Sequence, residues 1–102
     1  MSIVKKILIA DDEPDILEII QFNLQIEGYE VVTAKNGDEA IEQAKKYLPD
    51  LIILDIMMPG KNGIEVCNIL RLQPNFKDTL IIFLSALSDE ATEVKGLETG
   101  AD

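Results

Sequence analysis

Histidine is absent from the 102 residues of this chain, and there is a single cysteine, Cys67. Without histidine the chain cannot form Ser-His-Asp or Cys-His catalytic groups, and most zinc sites are excluded as well. One cysteine cannot form an internal disulfide bond, and its apolar neighbours indicate a small packed residue. Any chemistry in this chain is therefore left to carboxylates and hydroxyls.

Basic residues are also scarce: 9 stand against 19 acidic ones, which gives a formal net charge of −10. This charge repels phosphate backbones and argues against direct nucleic-acid binding, whereas a basic partner or a bound cation is favoured. No apolar run approaches membrane-spanning length, and the first residues lead into a short strand rather than a signal peptide. We therefore expect a cytoplasmic protein that does not contact the membrane.

Length and composition predict one globular domain over 1–102, because 47% of the residues are hydrophobic and 27% are charged. Within it, short apolar runs alternate four times with helical patterns. Strands are predicted over 5–10, 29–33, 51–54 and 79–84, and helices over 14–27, 37–47, 64–72 and 89–98. Short links between alternating strands and helices predict an α/β fold, a doubly wound parallel sheet with right-handed crossovers.

Two of the predicted helices have apolar residues at helical spacing. The first helix carries two apolar stripes and should have two neighbours, of which the sheet is one. One stripe comprises Ile16, Leu17, Ile20 and Leu24, and the other comprises Ile19, Phe22 and Ile26. In the second helix, we expect the inward residues to be Ala40, Ile41, Ala44 and Leu48.

The third predicted strand ends in a carboxylate, Asp55, and a Pro/Gly turn follows it. Its four aliphatic residues show no polar alternation, which is typical of a strand buried on both faces of a parallel sheet. Ligands bind at the carboxyl ends of such strands. Two interpretations of Asp55 stay open at this point: a helix cap or turn former, and a reactive or metal-binding acid.

Polar residues follow three of the predicted strands: Asp11 and Asp12 the first, Asp55 the third and Ser85 the fourth. One acid is explained by capping the first helix, through Asp12 or Glu13, but the others exceed that need. Clustered carboxylates repel one another, and Mg²⁺ suits a site of one or two carboxylates with several waters. With this cation Asp55 could attack a phosphoryl group, and Ser85 could donate a hydrogen bond to a phosphate oxygen.

These residues also carry a resemblance. The acidic pair Asp11-Asp12, the D-x-x-M-P-G-x-x-G run from Asp55 to Gly63, and Ser85-Ala86 resemble the receiver domain of bacterial two-component response regulators. The resemblance implies a flavodoxin-like fold and a switch that accepts a phosphoryl group from a sensor histidine kinase on Asp55 and signals to an output domain. It further implies that Asp12, Asp55 and the Met57 carbonyl bind Mg²⁺ directly, Asp11 through water, and that Ser85 is the switch hydroxyl.

The chain departs from this family at its end, where a fifth strand with a lysine and a fifth helix are expected. Neither Lys61 nor Lys95 matches that lysine. We therefore expect a receiver truncated before its last strand and helix. Such a chain would leave the fourth strand as an apolar edge, and we expect it to form an oligomer that covers this edge.

Two other functions are compatible with these residues. A Mg²⁺-dependent phosphatase could use Asp55 as its nucleophile, but a known class of this chemistry has a second aspartate two residues later, where this chain has Met57. The acids could also merely cap helices in a binding domain. We expect a switch that catalyses its own phosphorylation and dephosphorylation and is not a turnover enzyme.

Overall fold

The computed structural model describes residues 5–84. Strands and helices alternate along this range, as the sequence predicts. The elements are β1 (Lys6–Ala10), α1 (Pro14–Ile26), β2 (Glu30–Ala34), α2 (Gly37–Tyr47), β3 (Leu51–Leu54), α3 (Gly63–Arg71) and β4 (Leu80–Phe83). A 3-10 helix, Pro74–Phe76, which the sequence pattern did not indicate, leads into β4. Ser85 and the predicted fourth helix lie outside the described residues.

The four strands form one parallel sheet in the order β2-β1-β3-β4. Ala10 pairs with Ala34 on one side and with Leu54 on the other, and Leu54 pairs with Phe83. The strands therefore end level with one another, so the residues that follow β1, β3 and β4 leave the sheet at the same edge. This arrangement confirms the predicted parallel α/β fold.

Both faces of the sheet are covered. On one face α2 and α3 pack against the strands, and the fully buried side chains there include Leu8, Ile52, Leu54, Ala44, Val66 and Cys67. On the other face α1 packs against Ile7, Ile9 and Ile53 through Leu17, Ile20 and Leu24. Burying each large aliphatic side chain contributes roughly 1.5–3 kcal/mol. The predictions of a doubly buried β3 and of a packed Cys67 are confirmed.

Leu48 does not face the core as predicted. The α2 helix ends at Tyr47, and Leu48 is 54% exposed with a left-handed backbone, φ 48°. The residue that precedes a proline is disfavoured in the right-handed helical region, and Pro49 follows directly. Leu48 therefore turns the chain out of the helix toward β3, and its side chain leaves the apolar stripe of α2.

The second apolar stripe of α1 has no cover among residues 5–84. Ile19, Phe22 and Ile26 are 58–65% exposed there. The oligomer expected to cover the edge of the fourth strand, β4, stays a prediction. Across the same range, none of the helices combines the length and the hydropathy that crossing a membrane requires.

Candidate functional site

Three carboxylates meet at the edge where the strands end. One oxygen each from Asp11, Asp12 and Asp55 lies within 4.8 Å of the others. Asp11 and Asp55 are only 3% and 8% exposed, whereas Asp12 is exposed. The structure thus brings together the three acids that the sequence singled out, two of them buried and one open to solvent.

Backbone hydrogen bonds beyond the strands hold the two buried acids in place. The amide of Asp55 donates to the carbonyl oxygen of Ala10 at 2.8 Å, and the amide of Asp11 donates to that of Ala34 at 3.1 Å. The sheet pattern therefore continues one residue past β1 and β3. Because both acids belong to this ladder, their separation depends on the sheet rather than on a flexible loop.

The carboxylates of these two acids also shape the chain that follows them. Oδ1 of Asp11 accepts from the amide of Glu13 at 2.9 Å, and Oδ1 of Asp55 accepts from the amide of Met57 at 3.3 Å. Asp12 or Glu13 was expected to cap α1. Glu13 occupies the capping position, but its side chain makes no capping hydrogen bond. Asp11 satisfies a backbone donor there instead, because its short side chain reaches the amide two residues on.

The protonation of Asp11 responds to this crowding. The pKa of Asp11 is raised from 3.8 to about 6, chiefly by burial and also by the charge of Asp55, a side-chain hydrogen bond with Asp55 and the charge of Asp12, while the amide of Glu13 opposes these effects. Desolvation and neighbouring negative charge both penalise the ionised carboxyl. A hard cation removes both penalties by accepting carboxylate oxygens as ligands. The donor set therefore fits Mg²⁺.

The chain between Asp55 and α3, residues 56–62, is called the β3–α3 loop. Its two ends are joined, because the amide of Gly63 donates to the carbonyl oxygen of Ile56 at 3.0 Å. A side chain at Gly63 would overlap the backbone carbonyl oxygen of Asp55, so glycine allows this close approach. The two ends of the loop are therefore held together next to the backbone carbonyl of Asp55.

A reciprocal cap at the start of α3 completes the loop. Oδ1 of Asn62 accepts from the amide of Glu65 at 2.9 Å, and Oε1 of Glu65 accepts from the amide of Asn62 at 3.0 Å. Sequence reasoning missed this cap, although an Asn followed three residues later by Glu is its usual signature. Ser85, which the sequence also predicts as a site residue, lies outside the described range.

Open clefts reach the acids from two sides. One, of about 400 Å³, is lined by Asp11, Asp55 and apolar residues of α1 together with Leu84. The other, of about 550 Å³, is lined by Asp12, Met57 and further residues of the β3–α3 loop. Among the described residues, the buried carboxylates are therefore close to open clefts through which a small ion can approach them.

The family model described as the response regulator receiver domain matches residues 7–102. The chain is similar to the alkaline phosphatase synthesis transcriptional regulatory protein PhoP of Bacillus subtilis, with 48% identity over 98 residues, which are 96% of this chain and 40% of that protein. The chain therefore spans less than half the length of this relative.

Two solved structures resemble the fold closely. Chemotaxis protein CheY4 of Vibrio cholerae is 35% identical with a TM-score of 0.89, over 97% of this chain and 82% of that one. Response regulator TrrA of Thermotoga maritima, solved in complex with Mg²⁺ and BeF, is 44% identical with a TM-score of 0.83, over 96% of this chain and 82% of that one.

Proposed function

This chain belongs to the response regulator receiver domain family, and from that premise we propose that it accepts a phosphoryl group from a sensor histidine kinase on Asp55. The observation that carries this proposal is the meeting of the Asp11, Asp12 and Asp55 oxygens within 4.8 Å at the carboxyl edge of the sheet. Structural helix caps do not need two acids buried side by side. Two adjacent carboxylates are instead what a site needs if it binds a cation and transfers a phosphoryl group.

In the proposed transfer, a carboxylate oxygen of Asp55 forms a bond to phosphorus as the bond from phosphorus to the donor histidine nitrogen breaks. The nitrogen keeps the electron pair and takes up a proton from solvent. Two features support Asp55 as the nucleophile. It is held in the sheet ladder by its amide, and its carboxylate is oriented by the amide of Met57. Fixed geometry of this kind lowers the barrier to transfer.

We propose that Asp12, Asp55 and the backbone carbonyl of Met57 bind Mg²⁺ directly, and that Asp11 binds it through water. The raised pKa of Asp11 and the structure of the relative TrrA in complex with Mg²⁺ support a cation at this site. When bound, the cation supplies positive charge next to the phosphoryl oxygens. Asp11 contributes by holding the start of α1 through the amide of Glu13, which keeps Asp12 beside the site.

Ser85 is proposed as the hydroxyl that donates a hydrogen bond to the phosphoryl group. Its support is the register of the sheet, because Phe83 pairs with Leu54 and both strands end at the edge that carries Asp55. Phosphorylation of Asp55 would then give this hydroxyl a new hydrogen-bond acceptor. Forming that hydrogen bond would change the conformation of the chain that follows β4.

We further propose that residues 1–102 form the receiver part of a longer cytoplasmic regulator. The relative PhoP is named as a transcriptional regulatory protein and is more than twice as long as the matched segment. Its name supports an output domain that regulates transcription, with any DNA contact made by that domain. The receiver would catalyse only its own phosphorylation and dephosphorylation.

Labelling with acetyl phosphate tests the assignment of Asp55. The wild-type protein should gain one phosphoryl group per chain by intact mass, in a reaction that requires Mg²⁺. Asp55→Asn keeps the shape and removes the nucleophile, so the label should disappear. Asp78→Asn, a change at an exposed aspartate away from the site, serves as the matched control and should be labelled normally.

Two results would contradict the proposal. A label that survives in Asp55→Asn would move the acceptor elsewhere. Repeated turnover of a chromogenic phosphomonoester by the wild-type protein would instead favour the phosphatase alternative, although the exposed Met57 supplies no general acid for it.

A further inference from the structure

Gly37, the first residue of α2, is in close contact with the far end of the β3–α3 loop. A methyl group added at Gly37 would overlap the backbone carbonyl oxygen of Lys61 and lie 2.7 Å from the Cβ of Lys61. Ordinary van der Waals contact begins at 3.4 Å. Any larger residue at position 37 would therefore push apart α2 and the loop by a distance on the order of 1 Å.

An ion pair lies across the same contact. Nζ of Lys61 donates to Oδ1 of Asp38 at 2.7 Å, and this hydrogen bond raises the pKa of Lys61. Gly37 and Asp38 are adjacent in the first turn of α2. The helix therefore meets the loop through its backbone at Gly37 and through a charged side chain at Asp38.

The α2 side of this contact is the more firmly held. Ala40 and Ala44 of α2 are fully buried, and the side chain of Asn36 accepts from the amide of Glu39 at 2.8 Å. Displacing the helix would disturb close-packed core, which resists small shifts. The loop has exposed residues at Pro59 and Gly60. An enlarged residue 37 is therefore accommodated mainly by movement of the loop.

The hydrogen bond that joins the two ends of the loop connects movement at Lys61 to Asp55. Lys61 is two residues before Gly63, whose amide donates to the carbonyl oxygen of Ile56 and where a side chain would overlap the carbonyl oxygen of Asp55. Near the start of the loop, the amide of Met57 donates to the Asp55 carboxylate. A shift at one end of this closed loop thus reaches the backbone on both sides of Asp55.

We propose that Gly37, together with the Asp38–Lys61 ion pair, positions the β3–α3 loop for phosphoryl transfer to Asp55. This inference rests on the proposed function of Asp55 and adds to it a positioning residue on a different helix. Gly37 does not touch the site, and it acts through the backbone of Lys61. Misplacement by about 1 Å at a distance from reacting atoms can lower a rate by about 10²-fold.

The test compares Gly37→Ala with wild type in acetyl phosphate labelling, using the full-length protein. We expect the maximum labelling rate constant to fall by about tenfold or more, with a smaller change in the half-saturating concentration of acetyl phosphate. Ala44→Gly is the matched control, because it destabilises the same helix without approaching the loop. Rates are measured where thermal melts show every variant folded, and Ala44→Gly should be labelled at the wild-type rate.

A second variant keeps the test decisive if Gly37→Ala does not fold. Lys61→Met removes the ion pair without steric overlap, and we expect it to label at least twofold more slowly with an unchanged melting temperature. Lys77→Met, with the same change in net charge at an exposed position, should match wild type. A wild-type rate in Gly37→Ala and in Lys61→Met overturns the inference, and so does an equal loss in Ala44→Gly. An unlabelled wild-type protein refutes the proposed function instead.

Discussion

Replacing Asp11 by asparagine should make the metal-free protein more stable at neutral pH, although it weakens the proposed metal site. The amide oxygen of asparagine can still accept from the amide of Glu13, as Oδ1 of Asp11 does at 2.9 Å. Its amino group can donate to the carboxylate of Asp55, where the ionised Asp11 is repelled. The substitution therefore keeps the turn that starts α1 and removes the buried negative charge.

The size of the effect follows from the pKa of Asp11, which is raised from 3.8 to about 6. Each pKa unit corresponds to 1.36 kcal/mol, so ionising Asp11 in the folded protein costs about 3 kcal/mol more than in the unfolded chain. Because folding raises the pKa of Asp11, protonation of Asp11 favours the folded protein. This contribution to stability is fully present below pH 3.8 and is lost as the pH rises through about 6. At pH 7, Asp11→Asn should gain up to about 3 kcal/mol in the free energy of unfolding.

Urea unfolding in EDTA between pH 4 and pH 7 measures this difference, and a repeat in Mg²⁺ completes the design. The gain should be small at pH 4 and grow toward pH 7. Mg²⁺ at about 100 times its dissociation constant should stabilise the wild type by about 2.7 kcal/mol and the variant by less. Asp15→Asn, an equal charge change at an exposed site in the first turn of α1, should not be stabilised.

The reasoning is refuted if Asp11→Asn is no more stable than wild type in EDTA at pH 7. It is also refuted if the difference between the two proteins is the same at pH 4 and pH 7, because a steric effect would not titrate. Equal stabilisation of both proteins by Mg²⁺ would exclude Asp11 from the cation site.

Three further predictions concern other parts of the chain. Leu48→Gly should raise the free energy of unfolding by about 0.5–1 kcal/mol in urea titrations, because glycine tolerates the left-handed backbone at φ 48°; no gain relative to Leu48→Ala would contradict this. Met57→Asn in the full-length protein should dephosphorylate faster than wild type, because an amide can orient attacking water and a thioether cannot; equal decay rates would exclude the idea. Asp50→Asn should lower stability at pH 7, because the amides of Lys5 and Lys6 donate to its carboxylate and lower its pKa. That loss should shrink as the pH falls below 3.8, the ordinary pKa of the group, and a loss independent of pH would show that charge is not its cause.

The local elements of this fold were predictable because their signals are local. The four aliphatic residues of β3 identify a buried strand, and Asp55 directly after them lies where the parallel sheet ends. The outward position of Leu48 was also predictable, because Pro49 disfavours a helical conformation in the residue before it. The apolar spacing of α2 alone predicts an inward side chain at Leu48, which is one residue past the end of the helix.

Other features could not be predicted from local patterns. The contact between Gly37 and Lys61 joins residues that are far apart in the sequence, and it depends on how α2 and the β3–α3 loop are placed on the sheet. The raised pKa of Asp11 depends on burial by neighbouring elements in the same way. Sequence spacing brings the acids to one edge, but it does not determine which of them is buried.

The continuation of the sheet ladder to Asp11 and Asp55 has a consequence for how this site can change. Adjacent parallel strands lie about 4.8 Å apart, and the backbones of the two acids inherit their separation from that spacing, because the hydrogen bond from the amide of Asp55 to the carbonyl oxygen of Ala10 continues the pairing of β3 with β1. The distance between the backbones of the two acids, which a bound cation would have to span, is thus a property of the sheet. Loop substitutions, insertions and changes of docking partner can then accumulate around the two acids without altering the gap between them.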